Sequence, residues 1–261
     1  MKHTIFAGAM LLTAAAFAAD INYADAKLWG NRNATNPEAN VLQVQGPTYI
    51  VAKTDKIKID PAAKYRLTAE VRKAPGAKSP LFIAGFQLFD KDGKEIRTVD
   101  IRVIRGTATV LVADAKAGDK TIKVKNAVRW PKNASVAFNV GKLPNRDHVG
   151  YTTAEKSGSE WIVNLRTPLK KDYKANTKVW VQASGAHFTF LSTNKLTDNW
   201  QKITSSTIYG FYGVNEEIGA LKKFWPGAAY YKLLLMPNWG WGAGNKEFKS
   251  QIRNIKIEIT K

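Results

Sequence analysis

The feature that most constrains this chain is its period-two alternation of apolar and polar residues, with no segment longer than about ten residues holding a helical period. In Tyr65-Arg66-Leu67-Thr68-Ala69-Glu70-Val71-Arg72-Lys73, the side chains of Tyr65, Leu67, Ala69 and Val71 fall on one side of an extended backbone and the polar ones on the other. Such a strand buries a single face, so the chain must build sheets that pack against one another. The expectation is an all-β fold, a jelly-roll β-sandwich with a small inserted β-barrel-like or sandwich module. The 261 residues contain no cysteine, which removes disulfides, thiol chemistry and Cys-ligated metals, and leaves the hydrophobic core to hold the fold. A hydrophobic fraction of 44% suffices for one.

Taken in order, Met1 to Ala18 reads as a secretory signal: Lys2 and His3, an apolar run from Ile5 to Ala16, then Ala16-Phe17-Ala18 as a small-residue cleavage pattern. The expectation is therefore a secreted, periplasmic or cell-surface protein whose remainder has no apolar run long enough for a membrane helix. Residues 19 to 40 predict an irregular stretch around Trp29 with a short edge strand. Val41 to Ile59 predicts two strands, VLQVQ and YIVAKTDKIKI, divided at Gly46-Pro47. After the turn at Asp60 to Lys64 come strands at 65–73, 81–90 and 96–104, the last two joined by Asp90-Lys91-Asp92-Gly93-Lys94, an Asp-Gly hairpin signal. That turn resembles the start of a calcium loop but lacks the downstream acidic ligands, so no metal is assigned.

From Thr107 to Ala186 the strands shorten and the turns close up, which predicts an inserted small β domain (107–186) within a discontinuous sandwich (19–106 and 187–261). Its entrance and exit can lie side by side, so an insert of this kind costs its host little. Beyond it, strands are expected at Ala186–Leu191, Gln201–Tyr209, Ala229–Met236 and Gln251–Ile259.

The last two of these flank a glycine-rich loop carrying Trp239 and Trp241, with Trp225 just ahead. Large flat rings on such loops suit the apolar C–H face of a sugar. The candidate ligand-binding residues are Trp225, Trp239, Trp241, Tyr209, Tyr231 and Lys246, with Tyr212 as a lesser one. Their alternative use is packing at the end of the sandwich. One indole half covered by a sugar contributes about 2 to 3 kcal/mol at about 25 cal/mol per Å², so a two-ring site binds weakly.

The sandwich portion resembles the galactose-binding-like jelly-roll domains of the carbohydrate-binding module 4/9 type. The resemblance rests on KIKIDPAAKYRLTAEVRK, FQLFDKDGKEI, LTDNWQKITSSTI and the closing QIRNIKIEI, and covers about residues 41–105 and 187–261. It implies noncatalytic binding of a polysaccharide on a sheet face or at the rim loops. Where family members carry an acidic calcium ligand near the last strand, this chain reads Arg253-Asn254-Ile255.

A net charge of +19, from 40 Lys+Arg against 21 Asp+Glu, favours encounter with polyanions, acidic polysaccharide among them; export argues against nucleic acid as the natural partner. The bland reading is a solubilising coat of lysines. Outside the signal the histidines are His148 and His187, in neither a HExxH nor a GxSxG motif, and Glu216-Glu217 are adjacent and would point to opposite faces of a strand. No enzyme activity and no cofactor are expected. The alternatives are a structural or assembly protein of the cell envelope, with self-association, and a polysaccharide lyase.

Overall fold

The computed structural model describes residues 21–78, 81–185, 189–193, 196–214, 216, 222–239 and 247–261, with backbone alone at 189–193 and 239; residues 1–18, expected above to be a signal, lie outside them. The first strands are β1 (Ala34–Glu38), β2 (Val41–Gln45), β3 (Ile50–Val51), β4 (Ile57–Lys58), β5 (Lys64–Lys73) and β6 (Leu81–Phe89). One helical turn, α1 (Thr98–Ile101), precedes β7 (Thr109–Val110), β8 (Thr121–Val124), β9 (Ser135–Phe138), β10 (His148–Ser157), β11 (Glu160–Leu165) and β12 (Lys178–Gln182). The chain finishes with β13 (Thr189–Thr193), β14 (Gln201–Thr204), β15 (Tyr230–Trp239) and β16 (Lys249–Thr260).

These strands form an all-β sandwich and a further sheet. One layer has the order β1-β2-β16-β5-β14; the other has β13-β6-β15-β3, with β4 also on β15. The alternation in β5 does what the sequence requires: Tyr65, Leu67, Ala69 and Val71 are all buried, and they meet Phe82, Ala84, Phe86 and Leu88 of β6 in one core. Phe86 lies 4.6 Å from Tyr231 and 6.1 Å from Phe224 between ring centres, so aromatic volume fills the space between the layers. In β16 a bulge between Arg253 and Lys256, with Asn254 at φ 50°, inserts a residue and reverses which parity faces inward. Ile252 faces the core before it, Ile255 and Ile257 after it.

The third sheet, β7-β12-β9-β10-β11-β8, comes entirely from residues 109–182 and has its own buried cluster, including Val136, Phe138, Tyr151, Val163, Val179 and Val181. Its first and last strands meet: Leu111 bridges Val124, Val112 N donates to Lys123 O at 3.1 Å, and Lys125 N to Val110 O at 3.0 Å. The sheet is thereby closed on itself. The chain enters and leaves it as an antiparallel pair, with Val103 bridging Gln182, Ile104 N donating to Val181 O and Ala183 N to Arg102 O.

Three expected strands differ. Tyr49–Ile59 is broken into β3 and β4, because at its centre Lys53 N donates to Leu28 O at 2.6 Å instead of continuing a ladder. Residues 96–104 form α1 and bridges rather than a strand, because Asp100 accepts from Arg97 N at 3.0 Å and closes a helical turn. Gln201–Tyr209 narrows to β14, followed by the bridge of Ile208 to Tyr65. The ten-residue β10, unexpected from sequence, pairs with β11 through a tight turn at Gly158, whose φ of 61° favours glycine. Asp90-Lys91-Asp92-Gly93 is a turn as expected, with Asp90 Oδ1 accepting from Asp92 N and Lys94 N.

Candidate functional site

The aromatic residues singled out above separate sharply in space. Trp225 and Tyr231 are core residues at 4% and 0% exposure, and Tyr212 is buried beside them, so none presents a ring face to solvent. The physical reason is the gap between the layers, which Tyr231 and Phe224 fill against Phe86, the first tilted and the second stacked. Tyr209 is 52% exposed. The backbone of Trp239 ends β15, while its side chain, Trp241 and Lys246 lie outside the described residues.

The aromatic outside the core that the structure places in the most developed polar surroundings is Trp200, half-buried just before β14. It lies over the outer face of the β1-β2-β16-β5-β14 layer, with the guanidinium carbons of Arg72 and Arg253 at 4.4 Å and 4.2 Å from a ring centre. The alternation that buries Val71 turns Arg72 and Glu70 outward, and the antiparallel register sets Arg72 opposite Gln251 and Arg253 opposite Glu70. Arg72 Nε donates to Gln251 Oε1 at 2.7 Å, and Gln251 Nε2 donates to Gln43 Oε1 at 3.0 Å. Arg253 Nε and Asn254 Nδ2 both donate to Glu70, at 2.8 Å and 3.0 Å. The amide of Asn254 and the guanidinium of Arg253 hold the Glu70 carboxyl below its usual range. The result is a flat lattice of amides, guanidiniums and a carboxylate under an indole. Lys202, opposite Glu70, and Arg66 further along β5 add positive charge to the same face. Tyr209 follows Ile208, which pairs with Tyr65; the register difference from Val71 places it roughly 20 Å from Trp200 along the same sheet edge.

A second polar cluster joins the sandwich to the closed sheet. The Asp100 side chain is fully buried and accepts from Arg97 Nη2 and His148 Nε2, each at 3.0 Å, with Arg146 Nε at 3.8 Å. Its carbonyl accepts from Asn145 N at 2.7 Å. Arg146 reaches back to the hairpin, to Asp90 Oδ2 at 2.8 Å and Glu95 O at 2.8 Å. Burial pushes the Asp100 carboxyl up, but the hydrogen bonds from His148 and Arg97 outweigh it and hold the group below its usual range; Asp90 is held down in the same way by Lys94 N and Arg146. A cleft of about 520 Å³ opens beside this cluster, lined among others by Arg97, Arg146, His148, Arg166, Lys170 and Tyr173. Tyr173 donates to Asp147 at 2.5 Å, and burial followed by that carboxylate raises its pKa.

Neither cluster was singled out in the sequence as a site. Trp200 reads there only as the opening of a strand, and His148 and Asp100 are 48 residues apart with no motif between them. Among the described residues no group of three or more His, Cys, Asp or Glu could hold a metal ion, and no helix is long and apolar enough to cross a membrane. The fold and site together define an all-β sandwich with an aromatic and cationic face on one layer. No known family, curated protein or solved structure matches the chain.

Proposed function

We propose that this is an exported, noncatalytic polysaccharide-binding protein of the galactose-binding-like jelly-roll type, with residues 107–186 as an inserted small β domain. The observation that carries the reading is Trp200 over the outer sheet face, with Arg72 and Arg253 against its ring. An indole supplies an apolar plane for a sugar ring, and the surrounding amides, carboxylate and guanidiniums supply donors and acceptors for hydroxyls. The two guanidiniums, Lys202 and the +19 net charge extend the preference to sugars bearing carboxylate or sulfate.

The test is a glycan array with residues 19–261 at low and moderate salt, run beside Trp200→Ala and Trp239→Ala/Trp241→Ala. Binding of acidic glycans that weakens with salt and disappears in Trp200→Ala supports the reading. Binding that survives Trp200→Ala but is lost in the double variant moves the site to the glycine-rich loop. Wild-type protein that retains no glycan ends the proposal.

One observation favours a lyase as the second reading. His148, paired to a buried carboxylate, borders a cleft with Arg166 and Lys170. In such a reaction an imidazole removes the proton beside a uronate carboxylate, a double bond forms as the bond to the glycosidic oxygen breaks, and the imidazolium returns the proton to that leaving oxygen. Rising ultraviolet absorbance on mixing with an acidic polysaccharide, abolished in His148→Ala, is the result that would replace binding with catalysis.

A further inference from the structure

The cleft of about 520 Å³ beside the joint is cationic, and its charges do not balance within the protein. The basic side chains that line it are Arg97, Arg146, Arg166 and Lys170. Arg97 is matched by Asp100 at 3.0 Å and Arg146 by Asp90 at 2.8 Å. The carboxylate on the cleft wall, Asp147, is already filled: its Oδ1 accepts from Tyr173, and its Oδ2 from Asn139 at 2.8 Å and Lys171 at 2.9 Å. Arg166 and Lys170 have no carboxylate partner among the described residues, so two positive charges border the space uncompensated.

Arg166 is nevertheless held in place. Its backbone N donates to Gly150 O at 2.8 Å, and its stem crosses β10 at that glycine, where a Cβ would come within 3.1 Å of the arginine Cδ. The guanidinium donates from Nε to Tyr151 O at 3.3 Å and from Nη2 to Asn133 Oδ1 at 2.8 Å. Both acceptors are neutral, so they orient the group without cancelling its charge. With Oδ1 of Asn133 turned to the arginine, its Nδ2 is left with no acceptor among the described residues, as are the Thr167 hydroxyl and the Lys170 ammonium. Asn133, Arg166, Thr167 and Lys170 are all exposed. This end of the cleft therefore offers guanidinium, amide, hydroxyl and ammonium donors that solvent can reach, beside no unpaired carboxylate, and a fork that is oriented in advance loses less on binding.

We infer that this end of the cleft is a phosphate site, which takes a phosphate dianion, free or as the monoester of a small molecule, with Arg166 donating its remaining N–H groups and Lys170 supplying the second positive charge. A phosphate monoester carries close to two negative charges at neutral pH and three acceptor oxygens, which matches two uncompensated cations and their neighbouring donors better than the single charge of a carboxylate does. The site is separate from the Trp200 face. It also asks for no proton transfer from His148, whose Nε2 is bonded to Asp100.

The test titrates inorganic phosphate, glucose 6-phosphate and glucuronate, at fixed ionic strength, into residues 19–261 as wild type, Arg166→Ala, Lys170→Ala, Lys125→Ala and Trp200→Ala, following amide chemical shifts. Both phosphates should shift the amides of residues 133, 150 and 166–170, and glucuronate should bind several-fold more weakly. Affinity should fall about tenfold in Arg166→Ala, where charge-assisted hydrogen bonds are lost, and about fivefold in Lys170→Ala. Lys170→Ala removes an exposed side chain with no partner among the described residues, so it probes the site even if Arg166→Ala unfolds. Lys125→Ala, which removes one charge from outside the cleft, and Trp200→Ala should bind as wild type does. Tighter binding of glucose 6-phosphate than of phosphate supports a phosphate ester as the ligand, and equal binding supports the phosphate group alone. The inference is overturned if neither phosphate moves these amides, if Lys170→Ala binds as wild type does, if Lys125→Ala weakens binding as much as Lys170→Ala, if glucuronate binds as tightly as glucose 6-phosphate, or if Trp200→Ala abolishes the shifts.

Discussion

The sandwich and the closed six-stranded sheet are made from the same kind of alternating strand, yet they are assembled over different lengths of chain. In the sandwich, Gln251 of β16 bonds to Gln43 of β2 across 208 residues, so its layers are complete only when the last strand arrives. In the closed sheet, β10 turns directly into β11, and all six strands lie between Thr109 and Gln182. Local pairing costs less loop closure and is expected to form first. The difference teaches where each region can carry a site: the closed sheet spends its strands on enclosing a small core, while the open layer keeps a broad outer face on which Trp200, Arg72 and Arg253 converge.

The largest effects should separate the two cores. Phe86→Ala in the sandwich and Phe138→Ala in the closed sheet should each cost about 3 to 5 kcal/mol, since both side chains are fully buried in aromatic stacks. Hydrogen exchange should show protection lost within the mutated region first; identical loss in both would merge them into one cooperative unit.

Next comes the joint between them. Asp100→Asn removes the charge that Arg97, Arg146 and His148 surround, and should cost about 3 kcal/mol. Asp90 and Asp100 both have folded pKa values below the usual range, so the stability they contribute is complete above about pH 4 and is lost as pH falls through the folded values. Acid unfolding followed by circular dichroism should therefore be shallower in Asp100→Asn than in wild type.

A smaller effect is expected on the open face, where Trp200→Ala should leave unfolding little changed but weaken glycan binding by about 2 to 3 kcal/mol, on the order of 50-fold by calorimetry. The smallest is Glu38→Gln. Its 3.6 Å ion pair to Arg72 is long and exposed on the Glu38 side, and its loss should change stability by less than about 0.5 kcal/mol in a urea titration.

Much of the fold was legible because burial follows period two, which gives the buried face of β5 and the positions of β15 and β16; the turn after β6 follows instead from its Asp-Gly pair. What alternation does not encode is where an extra residue reverses parity, as Asn254 does, or where a charge draws the backbone into a turn, as Asp100 does. The site was less legible still. Trp225 and Trp200 are the same residue type, and it is the gap between the layers that takes one into the core and leaves the other half-buried on the outer face. The Trp200 face depends on register between β5 and β16, which pairs Arg72 with Gln251 and is absent from any local pattern.

The central claim is that the outer face of the β1-β2-β16-β5-β14 layer binds polysaccharide. The most direct measurement is a map of amide chemical-shift changes on adding a short acidic oligosaccharide to residues 19–261 at low salt. The account predicts changes concentrated at residues 70–72, 200–202 and 251–254, and their disappearance in Trp200→Ala. Changes confined to 97–100 and 146–173, or the absence of any change, would contradict it.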